Sequence, residues 1–264
     1  MTAQPNTVKV PLKTVALPNE HGGWGFTLEP ILLGLLVAPT LAGLGLGLFA
    51  LAAFFTRHPL KLWLADVRKG KRFPRTPVAG RFALAYGSAG VLGLLLALVR
   101  AEGPFYWPLL AALPLIAVQL WFDAHNKSRN LLPELAGAIA MGSVAAGMGL
   151  AGGLEPSVAL GLWLVLAARA YAAIHYARTQ VMRARGLAVP FRPAYLAQLI
   201  AIGGLLLGAA AGWVPWLSLL AVGLLLPFSA YTFAHPPVPA RVVGWSQMAF
   251  GLLVVVLTAL GVRA

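Results

Sequence analysis

Cysteine is absent from the 264 residues. Disulfides, thiolate nucleophiles, Cys-ligated metals and iron–sulfur clusters are excluded with it. Acidic residues are scarce: seven Asp and Glu stand against 20 Lys and Arg, for a net charge of +13. Charged residues of both signs make up only 10% of the chain, against roughly 25% in a soluble domain. A soluble protein of this size must cover its surface with polar groups, and here there are too few. That shortage excludes an ordinary cytosolic enzyme. The 59% hydrophobic content excludes disorder. The chain reads as all-α, a polytopic membrane helix bundle.

A balance of +13 would suggest nucleic acid in a soluble protein. In a membrane protein it reports topology first, because Lys and Arg accumulate in cytoplasmic loops, and no nucleic-acid partner is expected. A span needs about 20 apolar residues. About nine transmembrane helices are predicted, over 24–40, 41–56, 82–100, 105–122, 135–152, 157–177, 194–212, 214–231 and 242–262. Residues 1–18 read as a cytoplasmic tail. Lys9 and Lys13 are interrupted by Pro11 and Pro18, and no apolar core of a signal peptide follows. Residues 19–264 read as a single transmembrane helical domain. With the N-terminus cytoplasmic, seventeen of the 20 basic residues lie inside, Arg100 and Arg263 lie outside, and Arg169 lies within a span. The inner connections are longer and richer in hydrogen-bonding side chains, so function is sought on that side.

The longest inner connection runs from 57 to 81. Leu60, Trp63, Leu64 and Val67 follow the i, i+3, i+4, i+7 spacing of an amphipathic helix lying in the interface. Pro59 is expected to break it from the preceding span. The basic segment Arg68–Arg75 suits anionic lipid headgroups or a substrate phosphate. Glycines four apart, Gly43 with Gly47, Gly204 with Gly208 and Gly208 with Gly212, are read as helix packing.

The polar residues near the inner helix ends need explanation. All five histidines, His21, His58, His125, His175 and His235, fall there. None are spaced i, i+4 and there is no H-E-x-x-H, so no metal site and no cofactor are expected. Asn19, Glu20 and His21 precede a Gly pair at the mouth of the first span; Asn19 suits a helix cap. Glu29 lies within that span before Pro30, where an ionisable group needs a cavity or a partner. Arg169 lies deep in span six, and Arg169, Ala173, Tyr176, Gln180 and Arg183 share one helical face. Glu29 with Arg169 is the expected pairing, either as a structural ion pair or as part of a cavity floor. After span four come Asp123, Asn126, Lys127, Arg129 and Asn130, then Pro133 and Glu134. Asn130 suits a helix cap with Pro133 in the first turn; Lys127 and Arg129 suit anion binding.

The Asn19–Trp24 motif, Arg57-His58-Pro59-Leu60 and the Asn126–Glu134 segment together resemble the YwiC-like family of bacterial membrane proteins, over most of the chain. The resemblance implies a bacterial inner (cytoplasmic) membrane and carries no established activity. More distantly, the chain resembles the UbiA superfamily of intramembrane prenyltransferases. That resemblance implies nine helices around a cavity that opens to the cytoplasm and holds a polyprenyl diphosphate. Their two Asp-rich, Mg-binding motifs correspond to 57–81 and 175–192. Pro74-Arg75-Thr76 and the Lys127, Arg129 and Pro133 segment echo the superfamily's pattern. The chain departs from it in having Asp66 as the only carboxylate of the first motif. In place of the second stand Arg178, Arg183 and Arg185.

The function expected is binding of an anionic amphiphile, such as an isoprenoid diphosphate, in a cytoplasm-facing polar cavity. UbiA-like transfer chemistry, a small-molecule transporter and a non-catalytic assembly subunit remain alternatives. The residues expected to bind the ligand are Glu20, His21, Glu29, His58, Lys61, Asp66, Asn126, Lys127, Arg129, Asn130, Arg169, His175, Tyr176, Gln180 and Arg183. Membrane lipids are the expected surroundings.

Overall fold

The computed structural model describes residues 11–18, 23–71 and 73–264. Among them there is no strand, and the helices are α1 (Leu12–Ala16), α2 (Gly23–Val37), α3 (Leu41–Arg68), α4 (Arg75–Arg100), α5 (Tyr106–Ala111), α6 (Leu113–Ala124), α7 (Leu131–Ala151), α8 (Pro156–Ala184), α9 (Arg192–Ala210), α10 (Trp216–Gly223), α11 (Leu225–Ala234) and α12 (Ala240–Arg263). The protein is an integral membrane helix bundle. Seven spans, with α10 and α11 counted as one, are long and apolar enough to cross a bilayer. Gly23–Val37 and Leu113–Ala124 are shorter apolar helices.

The ends of these helices gather at two levels. At one level, Arg57 of α3 meets Asp123 of α6, Arg178 of α8 meets Glu134 of α7, and Arg183 of α8 meets the end of α11. This is the basic end. At the other, the Glu102 amide donates to the Ala151 carbonyl at 3.0 Å, and Gly261 sits against Pro215. Successive rods therefore alternate in direction, with α5–α6 and α10–α11 each acting as one rod broken at Ala112 and Leu224.

Helix α7 is the axis. Every residue from Gly142 to Ala151 is buried, and a helix apolar on all sides has neighbours on all sides. Its small side chains let α2, α3, α6 and α8 come close, which matters because lipid supplies no hydrophobic drive between helices. By contrast, only 17% of the apolar window of α4 is buried. Helix α4 packs on α3, where Gly45 and Gly93 place the two backbones against each other. Leu84, Leu92 and Val99 face outward.

Two expectations need correction. Pro59 does not break the chain: α3 continues from Leu41 to Arg68 with Pro59 buried inside it. A proline costs the helix one amide donor, and the adjoining turns and packing can hold the rod straight through in a membrane setting. Leu60, Trp63, Leu64 and Val67 are thus the exposed stripe of one long rod rather than a separate interfacial helix. The glycine pairs divide as well. Gly47 packs near Ile31 and Gly208 near Leu164 and Val214, but Gly204 faces open space. Gly212 stands in a turn with φ 76°, a left-handed conformation that glycine adopts without steric cost. The close crossing is made by Gly45 and Gly93, which no four-residue spacing marks.

Candidate functional site

Four carboxylate–arginine pairs join helices among the described residues: Glu29–Arg169, Asp66–Arg75, Asp123–Arg57 and Glu134–Arg178. They differ in how completely each carboxylate is used.

Asp66 is fully committed. Arg75 donates from Nε to Oδ2 at 3.1 Å and from Nη2 to Oδ1 at 2.8 Å, and the Thr76 hydroxyl donates to Oδ2 at 2.9 Å. The Asp66 side chain is 1% exposed and that of Arg75 45%. This is a two-pronged clasp that closes the α3–α4 hairpin, and both oxygens are occupied. Arg57 holds Asp123 in the same bidentate way, at 2.6 and 2.9 Å. Sequence reading named Arg57, Asp123 and Arg178 within motifs at the predicted inner helix ends but did not select them as site residues.

Glu29 and Arg169 do meet, and the third member is Gln247 of α12. Arg169 donates from Nη2 to the Gln247 carbonyl at 2.5 Å and from Nη1 to Gln247 Oε1 at 3.2 Å, while its contact with Glu29 Oε1 is longer, 3.4 Å. The Phe26 ring lies beside the guanidinium, 5.9 Å from centroid to Cζ. Arg169 is 2% exposed and Glu29 6%. Glu29 fits because Gly251 has no side chain; a Cβ there would collide with its carboxylate. The only sequence signal for Gln247 was an amide seven residues into an apolar helix.

The remainder of the α8 stripe forms a polar seam with α11. Tyr176 donates to the Thr232 hydroxyl, Gln180 donates to the Tyr176 hydroxyl, and Arg183 donates to Gln180 Oε1. Arg183 also donates to the carbonyls of Thr232, Phe233 and His235. Those are the unpaired acceptors that a helix C-terminus leaves, so the arginine caps α11 and lies against the rings of Phe191 and Phe233.

Three histidines share one arrangement. His125, His175 and His235 each place Nδ1 within 2.7–2.8 Å of the carbonyl four residues earlier and lie against the aromatic ring at that position: Trp121, Tyr171 and Tyr231. A carbonyl only accepts, so Nδ1 carries the proton and Nε2 is left uncommitted. His58 instead contacts the Thr14 carbonyl of α1 through Nε2. The aromatic-x3-His spacing was visible in the sequence and passed over.

His175 also lines a pocket of about 210 Å³ at the basic end, with Arg178 and Thr179 on one side and Leu131, Met182, Val189, Pro190 and Pro193 as apolar walls. Arg178 donates from Nη1 to the Arg129 carbonyl at 3.0 Å and to Glu134 Oε2 at 2.8 Å. Its side chain is 35% exposed.

The expected site residues therefore fall into separate places rather than one cavity. Glu29 and Arg169 sit in the interior cluster, Tyr176, Gln180 and Arg183 in the seam, and His175 in the pocket. Asp66, His58 and Lys61 belong to the long end of α3. Asn126, Lys127, Arg129 and Asn130 lie on the exposed connection before α7. Asn130 occupies the N-cap position of α7 but makes no side-chain cap bond. Glu20 and His21 lie outside the described residues, as does Asn19. No group of three or more His, Asp or Glu residues poised to hold a metal occurs among the described residues.

No curated protein and no solved structure matches the chain. Residues 17–148 match the sequence profile described as YwiC-like protein, a stretch that runs from α2 to the axis helix α7. It includes Glu29, Asp66, Asp123 and Glu134, the acidic member of every ion pair described above. With half of its length under that profile, the chain belongs to the YwiC-like family.

Proposed function

We propose that this YwiC-like protein is a multi-pass protein of the bacterial inner membrane, with a cytoplasmic N-terminus, that binds an anionic amphiphile at its basic end. The pocket beneath Arg178 is the observation that supports this reading. It pairs a cation and a histidine with five apolar wall residues, which is the chemistry of a headgroup joined to a hydrocarbon chain. A pocket of about 210 Å³ is smaller than the roughly 300–1,000 Å³ that encloses a whole drug-sized ligand. It suits a phosphate-bearing headgroup and its first carbons, with the rest of the chain lying in the bilayer. Arg178 anchors the anion, Nε2 of His175 supplies a second donor when protonated, and Thr179 a third. Exposed Lys127 and Arg129 raise the local positive potential.

Asp66 has both oxygens taken by Arg75 and Thr76, so this reading uses direct basic contacts and assigns Asp66 no metal. The orientation rests on the excess of basic residues at this end. A reporter inserted near Gly70 is expected to be cytoplasmic; a periplasmic signal overturns the orientation.

Thermal unfolding of purified protein with farnesyl diphosphate tests the ligand reading. Stabilisation by ligand is expected, retained in EDTA, reduced by salt and lost in Arg178→Gln. A folded Arg178→Gln protein with an unchanged ligand response overturns the site. Stabilisation abolished by EDTA alone overturns the direct basic clamp.

A further inference from the structure

Separate from that pocket, the interior cluster of α2, α8 and α12 holds donors that have no acceptors. Nε of Arg169 and Nε2 of Gln247 are both buried without a hydrogen-bond partner among the described residues. A guanidinium offers five N–H donors, and here three contacts use only Nη1 and Nη2. Buried donors left unpaired are costly, most of all inside a membrane. The cluster lies roughly 9 Å along α2 from Gly23 and roughly 10–11 Å along α12 from Ala240, at about 1.5 Å per residue, so it is within the span and clear of the surface basic residues.

The charges set what can bind. One guanidinium and one carboxylate balance each other. An added anion leaves a net negative charge unless Glu29 takes a proton. With Glu29 protonated, Arg169 loses its counter-charge, and the neutral carboxyl group becomes a further donor. The anion then takes the place of the carboxylate as partner of Arg169, and the net charge of the cluster is unchanged. One proton balances one negative charge, so the anion is monovalent. We propose that Glu29, Arg169 and Gln247 form a proton-linked site for a small monovalent anion.

The geometry favours such an exchange. The short bonds of the guanidinium go to Gln247, which holds it in place whatever Glu29 does, while the Glu29 contact is a single one at 3.4 Å. Phe26 shields one side of the guanidinium, and Gly25 and Gly251 border the carboxylate. Of the titratable groups on the neighbouring helices, Tyr171 of α8 stands two positions from Arg169, with its ring against His175. Helix α12 has none between Arg241 and Arg263, α7 has none beyond Glu134, and α3 has none before Arg57. Glu134 and Arg57 are taken by Arg178 and Asp123. On α8, Tyr176 bonds to Thr232 and His175 to the Tyr171 carbonyl.

The test is thermal unfolding of the purified protein in detergent at constant ionic strength, with gluconate exchanged for nitrate or chloride, at pH 5 and pH 8. The wild type should be stabilised by the small anions more at pH 5, with affinity rising up to about tenfold per pH unit as one proton is taken up. Glu29→Gln, which fixes the neutral state, should be unstable in gluconate and rescued by nitrate equally at both pH values. The isosteric double variant Glu29→Gln with Arg169→Gln, which keeps every surface basic residue and histidine, should show no anion effect. A folded Glu29→Gln protein that does not respond to nitrate overturns the proposal. So does an anion effect that persists in the double variant, since it arises elsewhere. If Glu29→Gln does not fold even in nitrate, the site fails to accept the anion, and the proposal is again overturned.

Discussion

Asp66–Arg75 and Glu29–Arg169 are chemically the same pair in two settings. At the basic end of the α3–α4 hairpin, every oxygen of Asp66 has a donor and Arg75 keeps nearly half of its side chain in contact with solvent. In the interior, Glu29 makes one long contact and Arg169 is 2% exposed with Nε unpaired. The first pair is complete, so it locks a hairpin and offers nothing to a ligand. The second is incomplete in the place where incompleteness costs most. A buried ion pair is weak support for stability, and one with spare donors is better suited to exchange partners than to hold a fold.

Removing one member of each pair should expose this difference. Arg169→Leu leaves Glu29 buried without a counter-charge and should cost about 3–5 kcal/mol; adding Glu29→Gln should recover much of that loss. Recovery of nothing would mean that Arg169 matters through Gln247 alone. Next in size, Gly251→Val drives a side chain into the Glu29 carboxylate and should cost about 3 kcal/mol. A neutral result there would move Glu29 out of its notch. Arg75→Leu leaves buried Asp66 with only Thr76 and should cost about 2 kcal/mol. Smallest is Asp66→Asn, about 1 kcal/mol, because Arg75 can turn to water. Thermal or denaturant unfolding in one detergent ranks all four, and a larger loss for Asp66→Asn than for Arg169→Leu would invert the comparison.

The rods were legible because each is an apolar run bounded by charge, Pro or Gly. Helix α2 ends at Val37 and α3 begins at Leu41, close to the boundary predicted between 40 and 41, with the Thr40 hydroxyl accepting from the Gly43 amide. Pro59 misled because local propensity speaks of one lost amide, whereas the continuity of α3 is decided by its neighbours. The α8 stripe was legible as period 3.6, but its destination was not. Nothing in the spacing tells that Arg183 reaches carbonyls 49–52 positions away or that Arg169 reaches Gln247, 78 positions on. The Glu29–Arg169 pairing could be reasoned from cost alone, since each needs a partner in the membrane. Gln247, being uncharged, made no such demand. His175 was selected, whereas its neighbour Arg178 was marked only as one of the arginines standing where the second Asp-rich motif would be.

The interior cluster also bears on how the chain is assembled. Its members come from the first apolar helix described, from α8, and from α12, the last. During synthesis Glu29 enters the membrane early and Arg169 much later. The two bonds that hold the guanidinium to Gln247 cannot form until α12 has been inserted. Until then a charged side chain has to wait at the boundary between insertion machinery and lipid. Insertion of α12 is thus what lets Arg169 reach its final place, and a nascent chain halted before residue 247 should be an efficient substrate for membrane quality-control proteolysis.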